Sequence, residues 1–215
     1  MNIVHFVRHG ENPANLTRQF SYRVVDYPLT ERGVAQALAT ARHFRGQPIA
    51  AIYSSPLRRA HQTAEIIGEA LDLPVQTVEA FREVNVGALE LEPPNEANWA
   101  LHDRIIAEWF GGQPSSRFPD GEDLTTLTQR MRQGLLDVLG GRYDQQMIIV
   151  AHGGNLAATV NSFCANSTVG ADGRFPVNPN CAITRLRLEA RDGAVHGTLD
   201  AWAECAHLER LDDCD

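Results

Sequence analysis

The chain has little of what marks the specialised sequence classes. Its four cysteines, Cys164, Cys181, Cys205 and Cys214, show no CxxC spacing. In a cytosolic chain of this size that points to reduced thiols, and away from a disulfide frame or a zinc site. No basic run is present, and the formal net charge is -8. Such a chain has nothing with which to track a nucleic-acid backbone. No apolar stretch approaches the length of a membrane span. The N-terminus enters an apolar run after two residues and lacks a signal-peptide pattern, which predicts a cytoplasmic protein. Internal repeats and low-complexity segments are missing too. What remains is an ordinary globular composition, 43% apolar and 21% charged over 215 residues. That length suits one sizeable core, or one domain with an inserted cap.

The most informative stretch is Val7-Arg8-His9-Gly10-Glu11. It follows the apolar run Ile3-Val4-His5-Phe6-Val7 and precedes a polar loop, Asn12-Pro13-Ala14-Asn15. An apolar run stopped by glycine reads as a buried strand. Its C-terminal tip then carries Arg8 and His9, and in open α/β sheets the ligand crevice lies outside the C-terminal strand ends. Histidine there serves as nucleophile, base or metal ligand. The neighbouring arginine offers a planar fork of donors suited to phosphate. A lone His-Arg pair at a strand end is more often plain surface, so the weight rests on the rest of the chain.

That rest alternates strands and helices. After a loop from Arg18 to Tyr27, Thr30 reads as an N-cap, and Val34, Ala37, Leu38, Ala41 and Phe44 follow helical spacing. Ile49 to Tyr53 is a second strand. Pro56 stands at a first helical position ahead of the stripe Leu57, Ala60, Ala64, Ile67 and Leu71. The first turn of that helix holds Ser55, Arg58 and Arg59, where unpaired N–H groups and the dipole suit an anion. A short strand is expected within Leu73 to Val78, and Phe81 to Leu91 contains Glu83 and Gly87. A helix from Glu96 to Phe110, between Pro93-Pro94 and Gly111-Gly112, reads as a cap over the site. Another helix runs from Leu124 to Val138. Met147 to Val150 is a buried strand ending in Ala151-His152-Gly153-Gly154, with a helix to about Phe163. Asn180 to Leu188 and Ala194 to Trp202 form a terminal hairpin. This order predicts a three-layer α/β/α domain with helices on both faces of a mostly parallel sheet. His9 and His152, 143 positions apart, meet only if their strands share one sheet edge.

Four motifs in order now carry a resemblance. Arg8-His9-Gly10-Glu11 with Asn15, Ser54-Ser55-Pro56-Leu57-Arg58-Arg59-Ala60, Glu83 with Gly87, and Val150-Ala151-His152-Gly153-Gly154 are similar to the signature segments of the histidine phosphatase superfamily, the phosphoglycerate-mutase-like proteins. Pro28-Leu29-Thr30-Glu31-Arg32-Gly33 and the late Ala206-His207-Leu208 fit the same family, so the resemblance runs nearly end to end. It implies a single domain over 1–215 with a small cap insertion at about 90–120. It also implies the roles. His9 attacks phosphorus and becomes a phosphohistidine. Arg8, Arg59 and His152 hold phosphoryl oxygens, with Asn15 and Gly153 at the phosphate, and Glu83 protonates the leaving oxygen and later takes a proton from water.

Elementary chemistry agrees with these roles. Phosphoryl transfer is mostly positioning plus charge stabilisation. Without a metal motif that charge falls to two arginines and a protonated His152. An alkoxide leaves poorly without an acid, and Glu11 is the next candidate should Glu83 fail. No cofactor and no metal are expected. The expected partner is a small-molecule phosphomonoester, with no nucleic acid or membrane, and a homodimer is left open. Two departures stand out: Gln19-Phe20-Ser21 differs from the family loop, and Gly121-Glu122-Asp123 has aspartate where serine is usual, still able to cap a helix. Between Glu90 and Asp120 the acids Glu90, Glu92, Glu96, Asp103, Glu108 and Asp120 outnumber Arg104 and Arg117. The cap therefore reads as acidic and suited to a monophosphate with a neutral or weakly charged body. The leading expectation is a metal-independent phosphomonoesterase acting on a small metabolite. A phosphoglycerate mutase is the alternative within the family, and a non-catalytic phosphate-binding protein is the alternative outside it.

Overall fold

The computed structural model describes residues 1–211. In chain order it contains β1 (Asn2–Arg8), α1 (Pro13–Thr17), α2 (Glu31–Phe44), β2 (Ile49–Ser54), α3 (Arg58–Leu71), β3 (Val75–Thr77), α4 (Glu96–Phe110), α5 (Leu124–Leu139), β4 (Gln146–Ala151), α6 (Gly153–Thr159), β5 (Ile183–Arg191) and β6 (Ala194–Glu204). One six-stranded sheet runs in the order β3-β2-β4-β1-β5-β6. Pairing is parallel from β3 across to β1 and antiparallel from β1 to β6.

The apolar runs of β1 and β4 are continuous because both faces of these strands are covered. Val4, Phe6, Met147, Ile149 and Ala151 pack with residues of α4, α5 and α6, such as Trp109, Met131 and Leu156. The alternate residues Val7, Ile148 and Val150 pack with Phe44 of α2 and Ala60, Ala64 and Ile67 of α3. Strand pleat alone sends neighbouring side chains into two different layers. The three-layer α/β arrangement expected from the order of elements is the observed one.

Several local readings change. The polar stretch after Glu11 is a helical turn, because Asn12 and Asn15 cap it reciprocally, each side chain accepting from the other's backbone N–H. Pro56 is not helical: α3 starts two residues later, with Leu57 extended at its N-cap. The third strand shrinks to Val75–Thr77 at the sheet edge. β5 starts only at Ile183, so Asn180 stays in the preceding turn, where it reaches the site. Thr30 and Asp123 do cap their helices, accepting from Gly33 N–H and Thr126 N–H. The hairpin closes through Asp192 and Gly193, both at positive φ, a two-residue turn matched to strand twist. In the segment expected as a cap, α4 buries Ile105, Ile106 and Trp109 in the same cluster as the sheet. Among the described residues no disulfide joins Cys164, Cys181 and Cys205 to one another; Cys214 lies outside them. Among the described residues, no helix is long and apolar enough to cross a membrane.

α2 is held hard against the loop that follows β1. A Cβ on Gly10 would come 2.6 Å from Gly33 O, and one on Gly33 would come 2.1 Å from Glu11 O. Only glycine permits that approach. Gly33→Ala is expected to lower unfolding free energy by about 1–3 kcal/mol, the usual cost of overpacking. Leu38→Ala, at a 46% exposed position of the same helix, should stay within about 0.5 kcal/mol. Urea denaturation curves of the two variants check the contrast, and equal midpoints would show that the loop yields freely.

Candidate active site

The sheet gathers the sequence-distant residues by register. Arg8 pairs with Ala151 and Ser54 pairs with Val150. The ladder continues past the strand ends, with His9 N–H donating to Ala151 O at 3.0 Å and Ser55 N–H to Val150 O at 2.9 Å. Three adjacent parallel strands thus end together, carrying Arg8 and His9, His152, and Ser55 with the start of α3. The rings of His9 and His152 stand 5.2 Å apart.

Each histidine has its tautomer set by a partner of fixed polarity. His9 Nδ1 lies 2.7 Å from Gly10 O, and a carbonyl only accepts. Nδ1 therefore carries the proton and Nε2 keeps its lone pair, which accepts from Arg59 Nε at 3.1 Å. His152 Nδ1 faces Arg59 Nη2 at 3.2 Å, and a guanidinium only donates. Its Nε2–H then donates to Ser55 Oγ at 2.8 Å. Burial, followed by the charges of Arg59 and Arg8, pushes His9 well below the ordinary imidazole range. Burial and Arg59, then His9 and Arg130, do the same to His152. The protonated His152 expected from the charge argument is thereby corrected. A fully buried ring that already accepts from a guanidinium has no room for a second proton. His152 is also absent from the cavity wall and supports Arg59 from behind.

Arg59 is 2% exposed. Burial brings its guanidinium down to about 10, so it remains charged at neutral pH. Besides the two histidines it donates from Nη1 to Ser21 Oγ at 2.7 Å and from Nη2 to Ser21 O at 2.9 Å. Arg8 donates from Nη1 to Asn178 O. Glu83 accepts from the N–H groups of Gly154 at 3.2 Å and Asn155 at 2.7 Å, and from its neighbour Val84 at 2.9 Å. A Cβ on Gly154 would stand 2.9 Å from Glu83 Oε1, so glycine there leaves room for the carboxylate. Asn15 and Gly153 line the same cavity, but Asn15 Oδ1 is engaged by Asn12 N–H at 3.1 Å and Asn180 Nδ2 at 3.3 Å. Glu11 serves the loop, accepting from Thr30 Oγ1 at 2.7 Å, and does not line the cavity.

Much of what holds these groups was not found in the sequence. The loop that departs from the family pattern carries Ser21, and it is pinned by Glu90. One carboxylate oxygen, Oε1, accepts from four successive N–H groups, those of Tyr22, Arg23, Val24 and Val25, at 2.6 to 3.1 Å. Glu90 therefore anchors the Arg59 partner and is not a free cap acid. Arg130 holds the acid segment, donating to Ala80 O, Arg82 O and Glu83 O at 2.7 to 2.8 Å while paired with Glu122 at 2.7 Å. Asn180 Nδ2 donates to His9 O at 2.9 Å. A carboxylate facing four N–H groups across 65 or more positions leaves no local spacing signal.

The cavity measures about 290 Å³. Arg8, His9, Arg59 and Glu83 line it together with the rings of Phe20, Trp99, His102 and Phe175. Of the acids between Glu90 and Asp120, none lines it, so the reading of an acidic cap above the ligand is corrected: those side chains point elsewhere. His102 is a wall residue. Among the described residues no group of three or more His, Cys, Asp or Glu is placed to hold a metal ion. The chain contains no lysine, so all 19 of its Lys+Arg charges are arginines.

The chain is similar to known proteins over nearly its whole length. The model of the histidine phosphatase superfamily (branch 1) matches residues 4–200. The probable phosphoglycerate mutase GpmB of Yersinia pestis (strain Pestoides F) is 33% identical, over 96% of this chain and 94% of that one. A phosphoserine phosphatase variant from Entamoeba histolytica, solved with phosphoserine, aligns at TM-score 0.75 and 26% identity over 97% of this chain and 100% of that one. Mycobacterial glucosyl-3-phosphoglycerate phosphatase, solved with VO3, aligns at TM-score 0.78 and 24% identity over 95% of this chain and 100% of that one; that likeness is one of fold.

Removing the Glu90 carboxylate should loosen the loop that holds Arg59. Hydrogen bonds to a charged group contribute about 1.5–3 kcal/mol each. In Glu90→Ala the amides of Tyr22 to Val25 are expected to exchange at least about tenfold faster, while those of β4 stay protected. Unchanged exchange at 22–25 would show that the loop stands without Glu90.

Proposed function

The chain belongs to the histidine phosphatase superfamily, and on that premise we propose that it is a metal-independent phosphomonoesterase working through a phosphohistidine at His9. One observation carries the reading. His9 Nε2 holds a lone pair fixed by the Nδ1–H bond to Gly10 O, beside the buried Arg59 guanidinium and in the same cavity as Arg8 and Glu83.

In the reaction so read, a phosphoryl group enters beside Arg8 and Arg59. These neutralise its equatorial oxygens and hold it in line with His9. Arg59 Nε turns from His9 to a phosphoryl oxygen, and the Nε2 lone pair so freed attacks phosphorus as the ester P–O bond breaks. Glu83, on the cavity wall, gives its proton to the departing alkoxide. The ring becomes positive on phosphorylation, and the Nδ1–H bond to Gly10 O stabilises that charge. In the second half Glu83 takes a proton from water, water oxygen attacks phosphorus, and the P–N bond returns its electrons to Nε2. Neutral His152 keeps Arg59 in place throughout and supplies no charge of its own.

The names of the relatives favour a mutase as the second reading. A mutase holds a ligand with a carboxylate and two phosphates, and each close cation contributes roughly 1–4 kcal/mol at surface-like dielectric. Among the wall residues only Arg8 and Arg59 are cationic, and both surround His9. That favours hydrolysis of a monophosphate. The cap acids no longer bear on the choice; the scarcity of cations does. A purely phosphate-binding role leaves the fixed His9 lone pair and the facing Glu83 without a use.

His9→Ala is expected to abolish phosphate release in EDTA while leaving the fold intact, and the native protein quenched in denaturant should carry acid-labile phosphate on His9. Release should exceed interconversion of 3- and 2-phosphoglycerate measured with 2,3-bisphosphoglycerate present. Mutase turnover above every release rate would make the second reading the right one.

Glu83→Gln should slow alkyl phosphates by about 10²–10⁴-fold and p-nitrophenyl phosphate far less, because nitrophenolate leaves without a proton. Equal losses on both esters would take the acid role away from Glu83.

A further inference from the structure

The cavity has two kinds of wall, and only one of them is explained by phosphate. Phe20, Trp99, His102 and Phe175 form a continuous aromatic group: Phe20 to Trp99 is 4.4 Å between ring centroids, Phe20 to His102 is 5.3 Å, Trp99 to His102 is 5.2 Å and His102 to Phe175 is 6.1 Å. They come from three chain segments, the loop after α1, successive turns of α4 and the loop before β5. All four face the same space as His9.

Several polar groups beside them are already engaged, while Asn178, its buried Oδ1 without a hydrogen-bond partner, also lines the cavity as a neutral amide. Asn15 Oδ1 accepts from Asn12 N–H and Asn180 Nδ2. Ser21 Oγ accepts from Arg59 Nη1 and donates to Val25 O. Gln19 Oε1 accepts from Thr17 Oγ1 at 3.2 Å. His102 has its Nδ1 on Asp103 Oδ1 at 2.9 Å, and a carboxylate only accepts, so that proton is committed. Burial also lowers His102 from the ordinary imidazole range, so the ring offers an anion no positive charge. Arg8 and Arg59 are taken up by the phosphoryl group. A carboxylate or second phosphate on the body of the substrate would be desolvated against these rings with no further cation on the wall to pair it.

Resting on the phosphomonoesterase reading, we infer that the substrate is a phosphomonoester whose alcohol carries an uncharged planar ring, seated against Phe20, Trp99, His102 and Phe175. Flat rings meet aromatic walls by offset stacking and edge contact, and they release water from apolar surface on both sides. A short linear alcohol fills little of this wall, and an anionic one is repelled by it.

The test compares esters with leaving groups of like basicity, so that ring recognition is separated from leaving ability: 2-phenylethyl phosphate, propyl phosphate and 3-phosphoglycerate. Specificity constants kcat/KM are expected to favour 2-phenylethyl over propyl phosphate by at least about tenfold, the size of discrimination an apolar pocket gives. 3-Phosphoglycerate is expected to fall below both. In Trp99→Ala and in Phe175→Leu the ratio of the first two should shrink by at least about threefold. Each ratio is taken within one protein preparation, so partial misfolding cancels. Hydrolysis of propyl phosphate with a ratio near one, or a ratio unchanged in both variants, overturns the inference and leaves the phosphomonoesterase reading standing. No release from any of the three esters sinks that reading, and this inference with it.

Discussion

The in-register parallel pairing of β4 between β1 and β2 is the constraint on which the rest depends. A peptide hydrogen-bond ladder admits no fractional register, and a slip of one residue reverses every side chain. Here the ladder runs beyond the strands to His9 N–H and Ser55 N–H. Three chain segments far apart in sequence must therefore stop at one level. The layered core follows from the same strands, since alternate residues of β1 and β4 feed helices on the two faces. The site is the edge of that core, where the buried ladder ends and its terminal side chains turn into a shared cavity.

At that edge the main electrostatic problem is the buried cation of Arg59, with the half-buried Arg8 nearby. An unpaired buried charge is costly, and removing the partners of Arg59 would strand it. The fold meets this with neutral acceptors: the lone pairs of His9 and His152 and the two oxygens of Ser21. The same contacts keep both histidines neutral. Glu83 acts on both arginines from across the cavity and is itself held by backbone N–H groups at the start of α6. Buried carboxylates farther out work on the backbone. Glu90 gathers the loop that presents Ser21, and Glu122 with Arg130 gathers the segment that presents Glu83. Each supports one side of the site from outside the cavity.

The parts legible in the sequence are those governed by short-range rules. The strand ends at Val7 and Val150, the helical stripes of α2 and α3, the caps at Thr30 and Asp123 and the hairpin turn are all written in contiguous residues. So are the motifs holding Arg8, His9, Arg59, Glu83, His152 and Gly153, because each sits beside a strand end or a helix start. Local rules misplaced Pro56, since proline suits a first helical turn but Leu57 is drawn into the core and stays extended. They misread 12–15 as loop, since the capping of Asn12 by Asn15 outweighs a polar composition.

The amino-acid order by itself determined the layered α/β class, the family and the inventory of chemical groups, because periodicity, caps and strand-end motifs act over a few residues. Tertiary structure alone decided which nitrogen of each histidine carries the proton, that His152 is neutral, and that Glu90 holds a loop while His102 joins the cavity wall. Those outcomes depend on direction and desolvation, on which backbone N–H or ring a side chain meets across the fold. A one-dimensional sequence sets neither until the sheet has brought its distant segments together.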